Sequence, residues 1–247
     1  PPGRWLGSGI RALGSGQLAA GMQVTEEQLA LLIGMGRDPI MGEQLGRAYP
    51  TYKRLADRIE DRVAALDPEM TQEDCAAETS RIEAEETAAG MRHAVAGFDL
   101  TFSVPKSVSV LWAVADAATQ ERIADAHHAA VADVIDFFER EVAATRAGIP
   151  DSDGAVAQVS VAGVAAVAYD HFDSRAGDPQ LHTHVVVSNK VMTVMDGRWR
   201  SLDGRPVFSS VTGLSAHYNA LLADRLGRDI GTGWELRERG ADRNPQW

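Results

Sequence analysis

The residues best suited to chemistry lie in HFDSRAGDPQLHTH, residues 171–184, which holds His171, His182 and His184. Side chains alternate along a strand, so His182 and His184, two positions apart, leave from one face. His171 closes the preceding apolar segment. Between them, Gly177 and Asp178-Pro179 are turn residues. If the two segments form an antiparallel hairpin, His171 falls opposite His182 or His184, and three imidazoles reach one ion. A register that opposes His171 to Thr183 instead sends its ring to the other face. Three neutral imidazoles with an open coordination position describe a catalytic metal site better than a closed structural one. Such an ion polarises a phosphodiester oxygen. The competing reading is histidines that only hydrogen-bond locally. Asp99 stands on the polar side of another alternating segment, with Thr101 and Ser103. A carboxylate there either orients a ligand histidine or takes a proton from an attacking hydroxyl; a local strand-edge hydrogen bond is the plainer alternative.

These groups need a scaffold, and the patterning supplies one. Thr25 followed by Gln28 forms a capping box that opens a helix over 25–34. Residues 51–66 place apolar groups at 55, 59, 63 and 66, a helical spacing ended by Asp67-Pro68. Residues 71–89, rich in Ala and Glu, read as an exposed helix or an insertion. Residues 97–103 alternate as a strand, with Phe98, Leu100 and Phe102 on one side. Pro105 opens a helix to 115. A long amphipathic helix is expected over 119–146, a turn at Asp151–Gly154, and one strand, with or without a bulge, over 155–170. Residues 181–191 give another strand. Met195-Asp196-Gly197 turns into a short strand around Trp199, and a helix covers 209–228. The fold class is α+β, with a central antiparallel sheet flanked by helices. Residues 1–247 read as one domain.

Composition narrows the function classes. The chain has 24 Lys and Arg against 35 Asp and Glu, a formal charge of −11. Residues 51–100 carry 6 basic and 12 acidic groups, so the acidity is local. This is not the basic signature of many DNA-binding proteins, yet the local field counts for more than the total. Only Lys53, Lys106 and Lys190 are lysines. Arginine forks suit phosphates, although a coding bias toward Arg and Ala explains the excess equally well. One cysteine, Cys75, excludes an intramolecular disulfide framework and a multi-cysteine zinc site. No run approaches the length of a membrane-spanning helix, so membrane insertion is not expected. A cytoplasmic location fits.

GFDLTFSVPKSVSVLWA together with HFDSR and DPQLHTHVVVSN resembles the TrwC/TraI-type conjugative relaxases, also called MobF, within the HUH endonucleases. The resemblance runs from about Pro2 to residue 230, and GRWRSLDGRPVF, residues 197–208, shares it. It implies a site- and strand-specific DNA nickase acting at an origin of transfer. It implies a tyrosine that attacks the scissile phosphate and stays joined to the 5′ end. His171, His182 and His184 fall on the positions that hold a divalent ion of the Mg, Mn or Zn class. Asp99 falls on the carboxylate that assists catalysis. Single-stranded DNA at the origin of transfer is the implied partner, with accessory relaxosome and type IV secretion coupling proteins beside it. The parent protein is then expected to travel with the DNA into a recipient cell.

The family's nucleophilic tyrosines lie upstream of the segment resembling PPGRW. Tyr49, Tyr52, Tyr169 and Tyr218 do not match that position. The expectation is therefore a domain truncated at its N-terminus and lacking a following helicase region, inactive in forming a tyrosyl adduct. Tyr218, among apolar helix neighbours, reads as core, whereas Tyr169 is near enough to His171 to line the site. Lys106, Arg175, Arg198 and Arg200 are the candidate DNA contacts, each weighed against a solvated surface charge. The alternatives are a non-catalytic or degenerate single-stranded DNA-binding module and a rolling-circle replication initiator.

Overall fold

The computed structural model describes residues 2–90, 93–148 and 155–235. The chain divides into two compact units, Pro1–Ala48 with Ala96–Trp247, and Tyr49–Val95. The first unit is built on a four-stranded antiparallel sheet. Its strands are β1 (Arg4–Leu6), β2 (Gly97–Ser103), β5 (Ala166–Asp173) and β6 (Pro179–Ser188), in the order β1-β5-β6-β2. Two hairpins accompany it: β3 (Ala144–Gly148) with β4 (Val156–Ser160), and β7 (Lys190–Met192) with β8 (Trp199–Ser201).

The sheet's two faces differ as the alternation requires. One face carries Phe102, Ala166, Ala168, Leu181, Val185 and Val187, all buried. These pack with α5 (Ala117–Glu141) and α6 (Gly204–Ile230) through Ile123, Val134, Phe138, Leu214, Leu222 and Leu226. Burying side chains of this size contributes about 1.5–3 kcal/mol each, so this layer is the main source of cohesion. The opposite face is covered only in part. Trp5, Ile10, Leu13, Leu18, Leu32 and Leu45 of the N-terminal segment cluster with Val167. The other end of that face is left open.

Tight backbone approaches pin the N-terminal segment. Gly163 adopts φ +113°, and a Cβ there would meet Ser8 Oγ at 2.0 Å. Only glycine satisfies both the conformation and the space. Glu139 Oε1 then accepts from Ser8 N and Val164 N, each at 2.7 Å. Thr25 caps α1 (Glu26–Leu29) with the expected reciprocal pair to Gln28, and the helix continues as a wider turn over Ala30–Gly34. The α4 helix (Lys106–Val114) starts immediately after Pro105, as its fixed φ favours.

The second unit is a helical pair, α2 (Leu55–Ala64) and α3 (Gln72–Ala89). Part of its acidity is paired internally: Arg58 pairs with Glu86 at 2.8 Å, and Arg62 with Glu85 at 2.7 Å and Glu86 at 2.9 Å.

Several expected elements differ. The strand expected over 181–191 divides at Asn189, with Pro179–Ser188 in the four-stranded sheet and Lys190–Met192 in the hairpin with β8, and the helix expected over 51–66 is α2, Leu55–Ala64. The α5 helix stops at Glu141 rather than 146, because Ala144–Gly148 pairs with β4 and that pairing overrides helical patterning. The strand expected over 155–170 is two strands in different sheets, interrupted at the left-handed Gly163. The α6 helix begins at Gly204 rather than 209; Asp203 accepts from Arg205 N, and Pro206 fits the first turn. The turn expected at Asp151–Gly154 lies outside the described residues.

Candidate metal centre

The β5–β6 hairpin opposes His171 to His182 and Tyr169 to His184. The parity is therefore the one that puts all three imidazoles on the open face. Their ring centroids are 5.1, 5.1 and 5.2 Å apart. One ligand nitrogen from each lies within 4.8 Å of the other two. The turn that joins the strands is closed by Ser174 N to Asp178 O and Gly177 N to Ser174 O, both 2.9 Å. A register break between His171 and Asp173 loosens the end of the ladder next to it.

Hydrogen bonds orient two of the rings. His182 Nδ1 donates to the Gln180 carbonyl at 2.8 Å. His184 Nδ1 lies 2.8 Å from Asp99 Oδ2, and Thr101 Oγ1 stands 3.3 Å from the same nitrogen. A carboxylate and a carbonyl only accept, so each Nδ1 carries the proton and each Nε2 keeps its lone pair. Locking the distal nitrogen of a ligand histidine in this way is the usual support of a metal centre. The donor set thus fits a divalent ion: three neutral nitrogens, two of them preset, with room for further ligands.

The cleft above the histidines has a volume of about 600 Å³. Thr101, Ser103, Asp173, Arg175 and Gln180 share its wall with the three rings. Thr101 and Ser103 oppose His184 and His182 across the β2–β6 pair. Their place follows from alternation once the register is known; Asp173 and Gln180 gave no signal beyond proximity.

Asp99, His171, His182, His184 and Arg175 therefore come together. Lys106, at the start of α4, donates to Asp178 Oδ2 at 2.6 Å and to the Pro179 carbonyl at 2.7 Å, so its charge is engaged with the hairpin turn. Arg198 and Arg200 lie on the β7–β8 hairpin, beyond the far end of β6. Arg200 is held by Asp196 at 2.7 and 2.8 Å, whereas Arg198 is largely exposed. The Asp196 carboxyl is held well below the usual range by Arg200 and Thr193. Tyr169 shares the histidines' sheet face, opposite His184, but packs against the N-terminal cluster and is not among the residues lining the cleft. A Cβ on Gly3 would fall 2.6 Å from its ring, so the glycine makes that packing possible. Tyr218 is buried in the core, as its helical neighbours predict.

A four-stranded antiparallel sheet with helices on one face and a histidine triad on the other defines an α+β protein with a candidate metal centre. The TrwC relaxase family model matches residues 1–247, and the chain belongs to that family. Over 143 residues it is 38% identical to the multifunctional conjugation protein TraI of Escherichia coli, covering 58% of this chain and 7% of TraI. A TraI from strain K12 is 35% identical over 133 residues, 54% of this chain and 7% of that protein. Among solved structures, TrwC complexed with a 27-mer DNA comprising the recognition hairpin and the cleavage site is 28% identical with a TM-score of 0.64. That match covers 98% of this chain and 66% of the TrwC chain. A metal-bound TrwC complex with oriT DNA gives 28% identity and a TM-score of 0.64, covering 99% and 65%. The chain thus spans a small fraction of the TraI relatives and just under two thirds of the solved TrwC chains. Among the described residues no helix is long and apolar enough to cross a membrane.

Proposed function

We propose that this domain performs metal-dependent, strand-specific nicking of DNA at an origin of transfer, by transesterification. The observation that carries the reading is the convergence of His171, His182 and His184 on an open cleft, with Asp99 bonded to His184. A divalent ion held by the three rings, two of them presenting Nε2, would supply electrophilic polarisation of the scissile phosphate. The chain's own residues set up the rest. Gln180 and Asp99 fix the tautomers of the neutral His182 and His184 rings, so the nitrogen left to ligate is Nε2 in each. Asp99, half exposed at the cleft edge, is the group suited to receive the proton of an attacking hydroxyl.

The attacking group is a tyrosine upstream of Pro1, as the family resemblance implies. Its phenolic oxygen bonds to phosphorus as the 3′ oxygen departs, so one phosphoester replaces another and no water is consumed. Among the described residues the cleft wall contains no tyrosine. Tyr218 is excluded by burial, which pushes its pKa far up. The direction of β1 supports an upstream nucleophile. Leu6 opposes Ala166 and Arg4 opposes Ala168, so following the chain backward leads toward the His171 end of β5. Single-stranded DNA at the origin of transfer is the substrate, and relaxosome and secretion-coupling proteins are its partners in the cell.

The test is a chain extended upstream of Pro1, incubated with a single-stranded oligonucleotide carrying the cognate nic site. A covalent protein–DNA adduct that requires a divalent ion and disappears in His182→Ala is expected. The chain beginning at Pro1 should form none. Metal binding without an adduct in the extended protein would favour a non-catalytic DNA-binding module.

A further inference from the structure

Directly behind the metal centre, on the core face of the sheet, runs a chain of short hydrogen bonds. Tyr218 Oη lies 2.7 Å from His127 Nδ1, and His127 Nε2 lies 2.7 Å from Thr183 Oγ1. Thr183 Oγ1 lies 2.6 Å from Asp170 Oδ1. Arg4 forks onto Asp170, with Nη2 3.2 Å from Oδ1 and Nη1 on Oδ2. Thr183, His127 and Tyr218 are buried.

The direction of every bond is forced. An ionised carboxylate accepts only, so the single Thr183 proton goes to Asp170. Thr183 Oγ1 must then accept from His127 Nε2–H. His127, kept neutral by burial, has its lone pair on Nδ1, which accepts from the Tyr218 hydroxyl. His127, His128 and Asp170 also bring three donor atoms within 4.8 Å. Both His127 nitrogens are committed to this chain, however, so the cluster is a hydrogen-bond array and not a second metal site.

Thr183 is the residue between His182 and His184. Leu181 is held through its backbone, donating to Ser109 Oγ and accepting from Val104 N, each at 3.1 Å, but the side chains of Leu181, Val185 and Val187 on the core face make apolar contacts, which have no preferred direction. The Thr183 hydroxyl makes two directed bonds. We propose that Thr183 is a positioning residue of the metal centre, anchored by His127 and Tyr218, which fixes the depth and rotation of the β6 segment that presents His182 and His184. Through Asp170 and Arg4 the same array ties β1 to that segment, so the strand leading in from upstream and the ligand strand keep a set spacing. This inference rests on the metal reading above.

The test measures Co²⁺ binding to the chain by calorimetry and by its visible ligand-field absorption, in folded variants checked by circular dichroism. Thr183→Val keeps the shape and removes the hydroxyl. It should weaken Co²⁺ about tenfold or more and move the absorption bands, the scale seen when supporting partners of metal ligands are lost. Thr183→Ser should restore both, which a loss of general stability would not predict. Tyr218→Phe removes only the terminal donor; it should shift the bands in the same direction, and it serves as the probe should Thr183→Val not fold. Wild-type affinity and bands in Thr183→Val, or in Tyr218→Phe where that replaces it, would overturn the proposal. Failure of the unaltered chain to bind Co²⁺, or undiminished binding in His182→Ala, would instead remove the metal reading and this inference with it.

Discussion

His184 Nδ1 lies 2.8 Å from Asp99 Oδ2, and the bond runs diagonally across the β2–β6 pair, since Asp99 itself opposes Val186. Residues on the same face of adjacent strands at this offset are within reach of long side chains. The carboxylate therefore both selects the His184 tautomer and adds negative charge behind the ring. Asp99→Asn keeps an acceptor but loses the charge. It should lower divalent-ion affinity by roughly 10-fold or more, with little change in unfolding midpoint because the pair is partly exposed. Calorimetric titration with Mn²⁺ or Co²⁺ checks both halves of the expectation; an unchanged affinity would assign Asp99 to proton transfer alone.

His171 is the most exposed of the three rings and stands beside the register break in β5. His171→Ala should abolish tight metal binding while leaving the fold intact. Only two imidazoles would remain, and the side chain adds little to the core. Titration for binding and thermal unfolding for stability separate the two effects. Retention of tight binding would mean that another group, such as Asp173 on the same wall, completes the set.

The cleft wall offers Arg175 to a DNA backbone, while the ammonium of Lys106 is already occupied by Asp178 and the Pro179 carbonyl. Arg175→Ala should weaken binding of a single-stranded oligonucleotide and reduce the salt slope of log K by about 0.7, one phosphate contact. Arg198→Ala, on the exposed side of the β7–β8 hairpin, should do the same if the DNA extends that far. Arg200→Ala should change the slope less, because Asp196 already neutralises that guanidinium. Fluorescence anisotropy across a salt series measures all three.

Much of this site was legible because its signals are local. The HxH spacing fixes a shared face, the turn residues fix the hairpin, and alternation in 97–103 fixes the side on which Asp99 stands. The register was open, including the pairing of His171 with Thr183 that would have sent its ring to the other face; the observed pairing of His171 with His182 has the parity that gathers all three rings. The supporting network was not legible in the same way. Tyr218 reads as core because its neighbours are apolar, and it is core; nothing local reveals that its hydroxyl meets a histidine 91 positions away. The one available hint was a mismatch: His127 sits on the apolar stripe of α5, with Ile123, Val131 and Val134, and Thr183 interrupts the apolar side of β6. Polar residues at core positions demand partners. The end of α5 failed for a related reason, because the pairing that claims Ala144–Gly148 is tertiary.

The same buried array makes stability depend on acid. Burial, with a smaller contribution from the neighbouring His128, pushes the His127 imidazole down to about 3. An unfolded histidine titrates near 6.5. Between these values the unfolded chain holds a proton that the folded chain does not, so stability rises with pH across the window. It is fully present above about 6.5 and is lost progressively below, by about 1.4 kcal/mol per pH unit for one proton. Burial raises the Asp170 carboxyl, but His128, Arg4 and Thr183 outweigh it and hold it well below the ordinary range. Its contribution is present above about 3.9, the unfolded carboxyl value, and is lost as pH falls further. Urea unfolding at a series of pH values should therefore show weakening from about pH 6.5 downward, before ordinary carboxylates titrate. His127→Gln removes the titrating group and should flatten that slope between about pH 6.5 and 4, even though it lowers stability at neutral pH. An equal slope in the variant would place the acid sensitivity elsewhere and would mean that His127 accepts a proton in the folded chain.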